Sequence, residues 1–261
     1  MELSLPGFDI PKSHPRYHSL VKREKLVAGF RLGLVVPEGL IAHGRGETFD
    51  YLLGEKSHEF ALEAERVTAA LLLVSRRPVI SVNGNYAALA PDEIRILSEE
   101  TGALVEVNLF HRTEERIRKI YEFLVDHGVR NILPPDCGKT RVPGLESKRG
   151  IVCKDGIAAA DFVLLAIEDG DRTEALVAWG KKVAAIDLNP FSRTAQKANI
   201  TIVDEAIRAT QNIISYVREL KERERSELIA IIDKYDNRRI LSMAFQALLD
   251  RLSVAVSKGI L

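Results

Sequence analysis

Apolar residues recur at helical spacing through residues 56–76, where Phe60, Ala64, Val67, Leu71 and Val74 follow one another at steps of four, three, four and three. That spacing gathers them into one stripe and leaves the charges on the opposite face, which predicts an amphipathic helix. Pro78 then opens a β-branched run, Val79-Ile80-Ser81-Val82, that stops at Asn83-Gly84-Asn85. A buried strand followed by a turn reads this way. The pattern repeats: a helix opening near Pro91-Asp92 and closing before Gly102, a strand over 103–109, a helix carrying Ile117, Ile120, Tyr121 and Leu124 that stops at Gly128, and a strand over 129–133 closed by Pro134-Pro135.

Residues 136–155 are polar, Gly-containing and basic (Lys139, Arg141, Lys148, Arg149, Lys154) with neither period, and read as a mobile surface loop. Strands are then expected over 162–167, 183–187 and 200–203, with a helix over 172–180 between the first two. A long helix follows with Ala206, Ala209, Ile213, Tyr216 and Leu220 on one face. The tail holds two more amphipathic segments, the second with Leu241, Phe245, Leu248, Leu252 and Ala255 on one stripe. Alternating helices and strands imply an α/β fold, a Rossmann-like, mostly parallel sheet flanked by helices with a helical C-terminal tail. The expected organisation is a nucleotide- and substrate-binding domain over 1–223 and a helical extension over 224–261. Such a tail either packs on its own domain or builds a dimer interface.

Charge changes the picture by exclusion. With 37 basic and 37 acidic side chains the net charge is +0, so no global field draws the chain to nucleic acid or to an anionic membrane. Any anion site must be local. No apolar stretch approaches the roughly 20 residues that span a bilayer, and residues 1–11 lack the regions of a signal peptide, so a cytoplasmic protein is expected. The two cysteines, Cys137 and Cys153, are too few for a disulfide framework and are not spaced as a zinc site; they are expected to be idle thiols. Few Gln and many Lys, Arg and Glu match a thermophile composition, in which a Cys137–Cys153 disulfide becomes conceivable even inside a cell.

In an open α/β sheet the polar residues that follow strands line the ligand site. Asn83-Gly84-Asn85 could bring backbone close to a ligand or be an ordinary turn. Residues 187–195 offer more: Asp187 could accept both ribose hydroxyls, while Arg193 with the Thr194 hydroxyl and amide could hold phosphate, the alternative being a helix cap by Asp187 or Ser192. Gly39 and Gly44 have Walker A spacing, yet Arg45 and Gly46 stand where lysine and Ser/Thr are required. Three glycines and an arginine still suggest an anion cradle, against a plain flexible loop. Gly138-Lys139-Thr140 is no P-loop either, because Leu133 stands at its first glycine position, and no G-x-G-x-x-G follows a strand.

Four segments taken together, Pro11-Lys12-Ser13-His14-Pro15-Arg16-Tyr17 with Ser19-Leu20 and Arg23, then 39–46, 82–89 and 187–195, resemble the archaeal phosphopantothenate synthetases. The resemblance implies a homodimer of coenzyme A biosynthesis that uses ATP and Mg2+ to join 4-phosphopantoate to β-alanine, releasing AMP and diphosphate. By that likeness Tyr17, Gly39, Asp187, Leu188, Asn189, Arg193, Thr194 and Asn199 would hold ATP, with Asp187 at the ribose. Arg16, Arg45 and Arg112 are candidates for the phosphate and carboxylate of 4-phosphopantoate, which favour bidentate cations. His43 and Asn85 are candidates to orient its reacting end beside Arg45. No general base or metal ligand is assigned. Two other readings stay open: a nucleotide-dependent kinase or transferase of a small phosphorylated acid, and a nucleotide-sensing protein without chemistry.

Overall fold

Five short strands carry the molecule: β1 (Pro78–Val82), β2 (Leu104–Val107), β5 (Phe162–Ala166), β6 (Lys182–Ile186) and β7 (Ile200–Ile202), hydrogen-bonded in the order β2-β1-β5-β6-β7 with every ladder parallel. The computed structural model describes residues 10–258, so the expectation about a leader falls largely on residues outside the described ones. β1 and β5 are buried along their whole length, as parallel strands covered on both faces must be, which explains their near-continuous apolar runs. Side chains alternate between the two faces. Ile80, Val82, Leu164, Ala166, Ala184 and Ile186 join the larger core, while Val79, Val163, Leu165, Val183 and Ala185 join a smaller one.

The larger core is closed by α3 (Glu59–Val74), α4 (Gly84–Leu89), α5 (Pro91–Thr101), α6 (Glu114–Asp126) and α9 (Ala206–Leu220). Helices α1 (Tyr17–Arg31) and α2 (Pro37–Leu53) precede them, and the opposite face carries α7 (Gly170–Ala178), with α8 (Arg193–Lys197) between β6 and β7. On that second face Ser81, Glu106 and Arg172 form a buried polar group. The fully buried Arg172 guanidinium pairs with Glu168 and donates to Ser81 Oγ at 3.1 Å. Unpaired, a buried cation would cost several kcal/mol.

Three expectations are corrected. Residues 129–133 form no strand: Val105 and Ile132 make an isolated bridge, and Leu133 N donates to Val105 O at 2.9 Å, before the two prolines end the pairing. The basic stretch 136–155 is a built hairpin, β3 (Lys139–Arg141) paired antiparallel with β4 (Ile151–Cys153), and Cys137 and Cys153 are disulfide-bonded, not idle. Its strands are too short to show a period. Residues 39–46 are no loop but the front of α2, and the Gly39 and Leu40 amides are spent on Val36 O. Three glycines weaken a helix by roughly 1 kcal/mol each, so packing of Phe49, Leu52 and Leu53 on the tail outweighs local preference.

The tail folds as α10 (Arg225–Asp233) and α11 (Asn237–Lys258). Leu228 of α10 enters the main core, and Ile240, Leu241, Ala244 and Leu248 of α11 pack against Leu53, Phe60 and Val203. The second half of α11 leaves Leu249, Leu252, Val254 and Val256 exposed. By length and composition α11 alone among the described helices could cross a membrane, contrary to the expected absence of such a segment. Its apolar residues are spread around a helix rather than run together.

Candidate functional site

The sheet's carboxyl ends converge on one cleft. Successive strand ends contribute Asn108 after β2, Asn83 after β1, Ile167-Glu168-Asp169 after β5, Asp187-Leu188-Asn189 after β6, and Asp204-Glu205 after β7. β1 connects outward to β2 and β2 returns to β5 on the other side, so the cleft spans the point where strand order reverses, the favoured ligand site of open α/β sheets. Helix α2 forms its outer wall, with Gly46 facing Leu188.

The cleft has two arms. One, of about 300 Å³, is lined by His43, Arg45, Asp187, Leu188, Asn189, Arg193 and Thr194 among others. The other, of about 250 Å³, is lined by Gly39, Arg45, Asn83, Asn85, Asn108 and Arg116. Ala42, Arg45 and Ile167-Glu168-Asp169 belong to both. Arg45 is exposed and has no ion pair among the described residues, so its fork is available at the junction.

In the first arm Asp187 Oδ1 accepts from Asn189 N at 2.9 Å and Oδ2 from the Ser192 hydroxyl. Burial pushes its carboxyl up to about 6, against the lowering effect of those two bonds. Ser192 also caps α8 by accepting from Ala195 N at 2.9 Å. The Thr194 hydroxyl, expected to hold phosphate, donates to Glu168 O at 2.7 Å, and the first-turn amides of Arg193 and Thr194 are left for an anion. Arg193 pairs with Glu174 and is largely exposed. His43 lies on α2 with Nε2 buried and unpartnered, and burial holds its pKa below the ordinary value, outweighing Glu47 and Glu205 nearby. The imidazole is therefore neutral near pH 7.

In the second arm Gly39 permits close packing: a Cβ there would meet Asn85 Oδ1 at 2.3 Å, and Asn85 Nδ2 donates to Gly39 O at 2.7 Å. Asn83 caps α4 through Tyr86 N at 3.0 Å and donates to Ala166 O at 2.7 Å and Ile167 O at 3.0 Å. The expected Asn-Gly turn is thus the first turn of a helix. Ile167, between the arms, has φ 52, a region a β-branched residue adopts only under constraint.

Four expected residues lie away from both arms. Asn199 sits at the opposite, amino end of the sheet, where its Oδ1 accepts from Val183 N at 2.9 Å. Arg16 is engaged by Glu47, Glu55 and the Tyr51 ring, and Tyr17 stands edge-on to His18. Arg112 faces a separate basin against the hairpin. Conversely, Asn108, Ile167-Glu168-Asp169 and Asp204-Glu205 were not singled out. Glu168-Asp169 and Asp204-Glu205 follow the expected strands, so the rule that picked Asp187 would have found them; Asn108 and Ile167 fell inside strands expected to run longer than β2 and β5 do.

The profile of the family described as phosphopantothenate/pantothenate synthetase matches residues 60–251. A Methanosarcina mazei protein named 4-phosphopantoate--beta-alanine ligase is 49% identical over 252 residues, covering 96% of this chain and 98% of the relative. A Thermococcus kodakarensis protein of the same name is 49% identical over 97% of each chain, and one from Methanospirillum hungatei is 52% identical over 82% of this chain and 87% of the relative.

Proposed function

The chain belongs to the phosphopantothenate/pantothenate synthetase family, and on that premise we propose that it is an ATP-dependent ligase of coenzyme A biosynthesis joining 4-phosphopantoate to β-alanine. The observation that carries the reading is the two-armed cleft with the unpaired Arg45 at its junction. Such a ligase must bring a nucleotide and an acid together end to end, and a free guanidinium where they meet stabilises the charge that develops on transfer. ATP occupies the arm with Asp187, where the carboxylate takes the ribose hydroxyls and the α8 amides with Arg193 take phosphate. The acid lies in the arm with Gly39, Asn85 and Asn108. His43, on the wall of the nucleotide arm one residue from Ala42 and two from Arg45, both of which line the two arms, orients the reacting end from that side.

A carboxylate resists attack by an amine until one of its oxygens becomes part of a better leaving group. Attack of that carboxylate on the α-phosphorus gives an acyl-adenylate and diphosphate; the amine of β-alanine then displaces AMP. The lack of a P-loop lysine and serine to cradle the β- and γ-phosphates favours this route over γ-transfer. Magnesium bound with the nucleotide would neutralise phosphate charge, and one or two protein carboxylates would be enough to hold it. No group of three or more ligating side chains occurs among the described residues; the carboxylates common to both arms are Glu168, paired with Arg172, and Asp169, paired with Arg149, and Asp169 is the one that would assist. Incubation with ATP, 4-phosphopantoate and β-alanine should yield AMP in step with phosphopantothenate. Oxygen-18 in the substrate carboxylate should appear in AMP, whereas stoichiometric ADP with label in inorganic phosphate would exclude the adenylate.

A further inference from the structure

A third basin, of about 370 Å³, opens between the loop after β2 and the β3–β4 hairpin, outside the two-armed cleft. Its walls carry Arg112, Lys139, Thr140 and Arg141, with Glu114 as the lining acid. Arg141 is exposed and turned to the hairpin's own turn: one guanidinium nitrogen donates to Glu146 O and Ser147 O at 2.6 and 3.0 Å. Arg112 is not. It is only 7% exposed, yet among the described residues its side chain makes a single long hydrogen bond, 3.4 Å to Ile151 O. Lys139 Nζ has sulfur partners, 2.9 Å to Cys137 Sγ and 3.9 Å to Cys153 Sγ, and no carboxylate within ion-pair distance among the described residues. Burial lowers the pKa of both cations, and Arg112 lowers that of Lys139 further.

We infer that this basin is a phosphate monoester subsite, with Arg112 and Lys139 as its two cations and Thr140 as a neutral donor. A buried guanidinium beside a half-buried ammonium is costly even with Glu106 and Glu114 near, and a dianion with three acceptor oxygens compensates both where a carboxylate compensates one. The basin adjoins the acid arm across one carbonyl: Ile151 O accepts from Arg112 and also, at 3.0 Å, from Asn108 Nδ2, and Asn108 lines that arm. Resting on the ligase reading, the phosphate it holds is that of 4-phosphopantoate, whose carboxylate then points toward Arg45. The disulfide clamps the hairpin two residues before Lys139 and at the paired position of β4, which fixes the backbone that carries the cation.

Arg112→Gln and Lys139→Gln test this, with Lys139→Arg as the conservative control. Inorganic phosphate should raise the melting temperature of the parent protein and of Lys139→Arg, but not of the Gln variants. In turnover the KM for 4-phosphopantoate should rise roughly tenfold or more in each Gln variant, with KM for ATP within about twofold, as loss of a charged hydrogen bond implies. Phosphate inhibition competitive with 4-phosphopantoate places the substrate's own phosphate in the basin; noncompetitive inhibition abolished by the same variants keeps the basin as a phosphate site and assigns it to a separate phosphate monoester. Phosphate stabilisation and KM that survive in both Gln variants would overturn the inference. The melting arm needs no turnover, so a parent protein that makes no phosphopantothenate overturns the ligase reading and leaves the basin decided independently.

Discussion

Asp187 shows how one side chain serves two ends at once. It follows β6, where a buried chain end turns into the cleft, and burial raises its carboxyl from the ordinary 3.8 to about 6 despite bonds from Ser192 and Asn189. Above pH 6 it is ionised and accepts hydroxyl donors strongly; below, it is neutral and accepts weakly. Binding of adenosine, which does not titrate in this window, should therefore weaken as pH falls from about 7 to 5, and Asp187→Asn should flatten that dependence while binding several-fold more weakly at pH 7.5. The sign for stability is opposite. A folded pKa above the unfolded one favours the fold fully below about 4 and loses that contribution as pH rises through about 6. The Asn variant should melt no lower than the parent at pH 7.5, a trade of stability for function. A pH-independent parent affinity would remove Asp187 from the ribose. Its place after a strand was legible in the sequence; its burial was not, since that comes from α2 laid over the β6 loop.

At the scale of elements, α4 links the two arms. Its cap, Asn83, accepts from Tyr86 N and donates to both Ala166 O and Ile167 O, so one side chain holds the start of a helix and the left-handed end of β5. Gly84 beside it has no room for a side chain, because a Cβ would lie 2.0 Å from Leu34 O. Asn83→Ala removes the cap and strands two carbonyls, which together should cost about 2–3 kcal/mol. Chemical denaturation should show a lower midpoint with an unchanged slope, and an unaltered midpoint would mean that the links carry no energy. The segment was legible as strand then turn, and it is a helix because Ala166, 83 residues after Asn83, accepts from its cap and because Leu34 O packs where a side chain at position 84 would lie. α1 and α2 were missed for a related reason: their apolar positions follow no clear stripe, since their inner faces cover charged groups such as Lys22 and Asp50.

Across the whole molecule, the exposed half of α11 poses the question of assembly. Leu249, Leu252 and Val256 are 58%, 49% and 85% exposed, while the first half of the same helix is seated in the core. A contiguous apolar surface on a monomer is costly, and a second copy covering it through a two-fold contact is the economical solution. The protein should have the mass of a dimer by sedimentation, and Leu249→Glu with Leu252→Glu should halve it; a parent mass of one chain would end the proposal. The sheet itself needed no such help. Its strands were readable because buried parallel strands require near-continuous apolar runs, and α3, α5, α6 and α9 because each hides one stripe against that sheet. The strand-end rule likewise reached Asp187 and Arg193 from local order alone. What only the tertiary structure decided was where long-range partners replaced local preference: the glycine-rich α2, the hairpin whose three-residue strands are tied by a disulfide, the removal of Asn199 to the far end of the sheet, and the separation of Arg16, Arg45 and Arg112 into three surroundings. A side chain's charge is written in the sequence, but whether that charge is already neutralised depends on neighbours brought in from elsewhere in the chain, and that difference distinguishes Arg45 from Arg16.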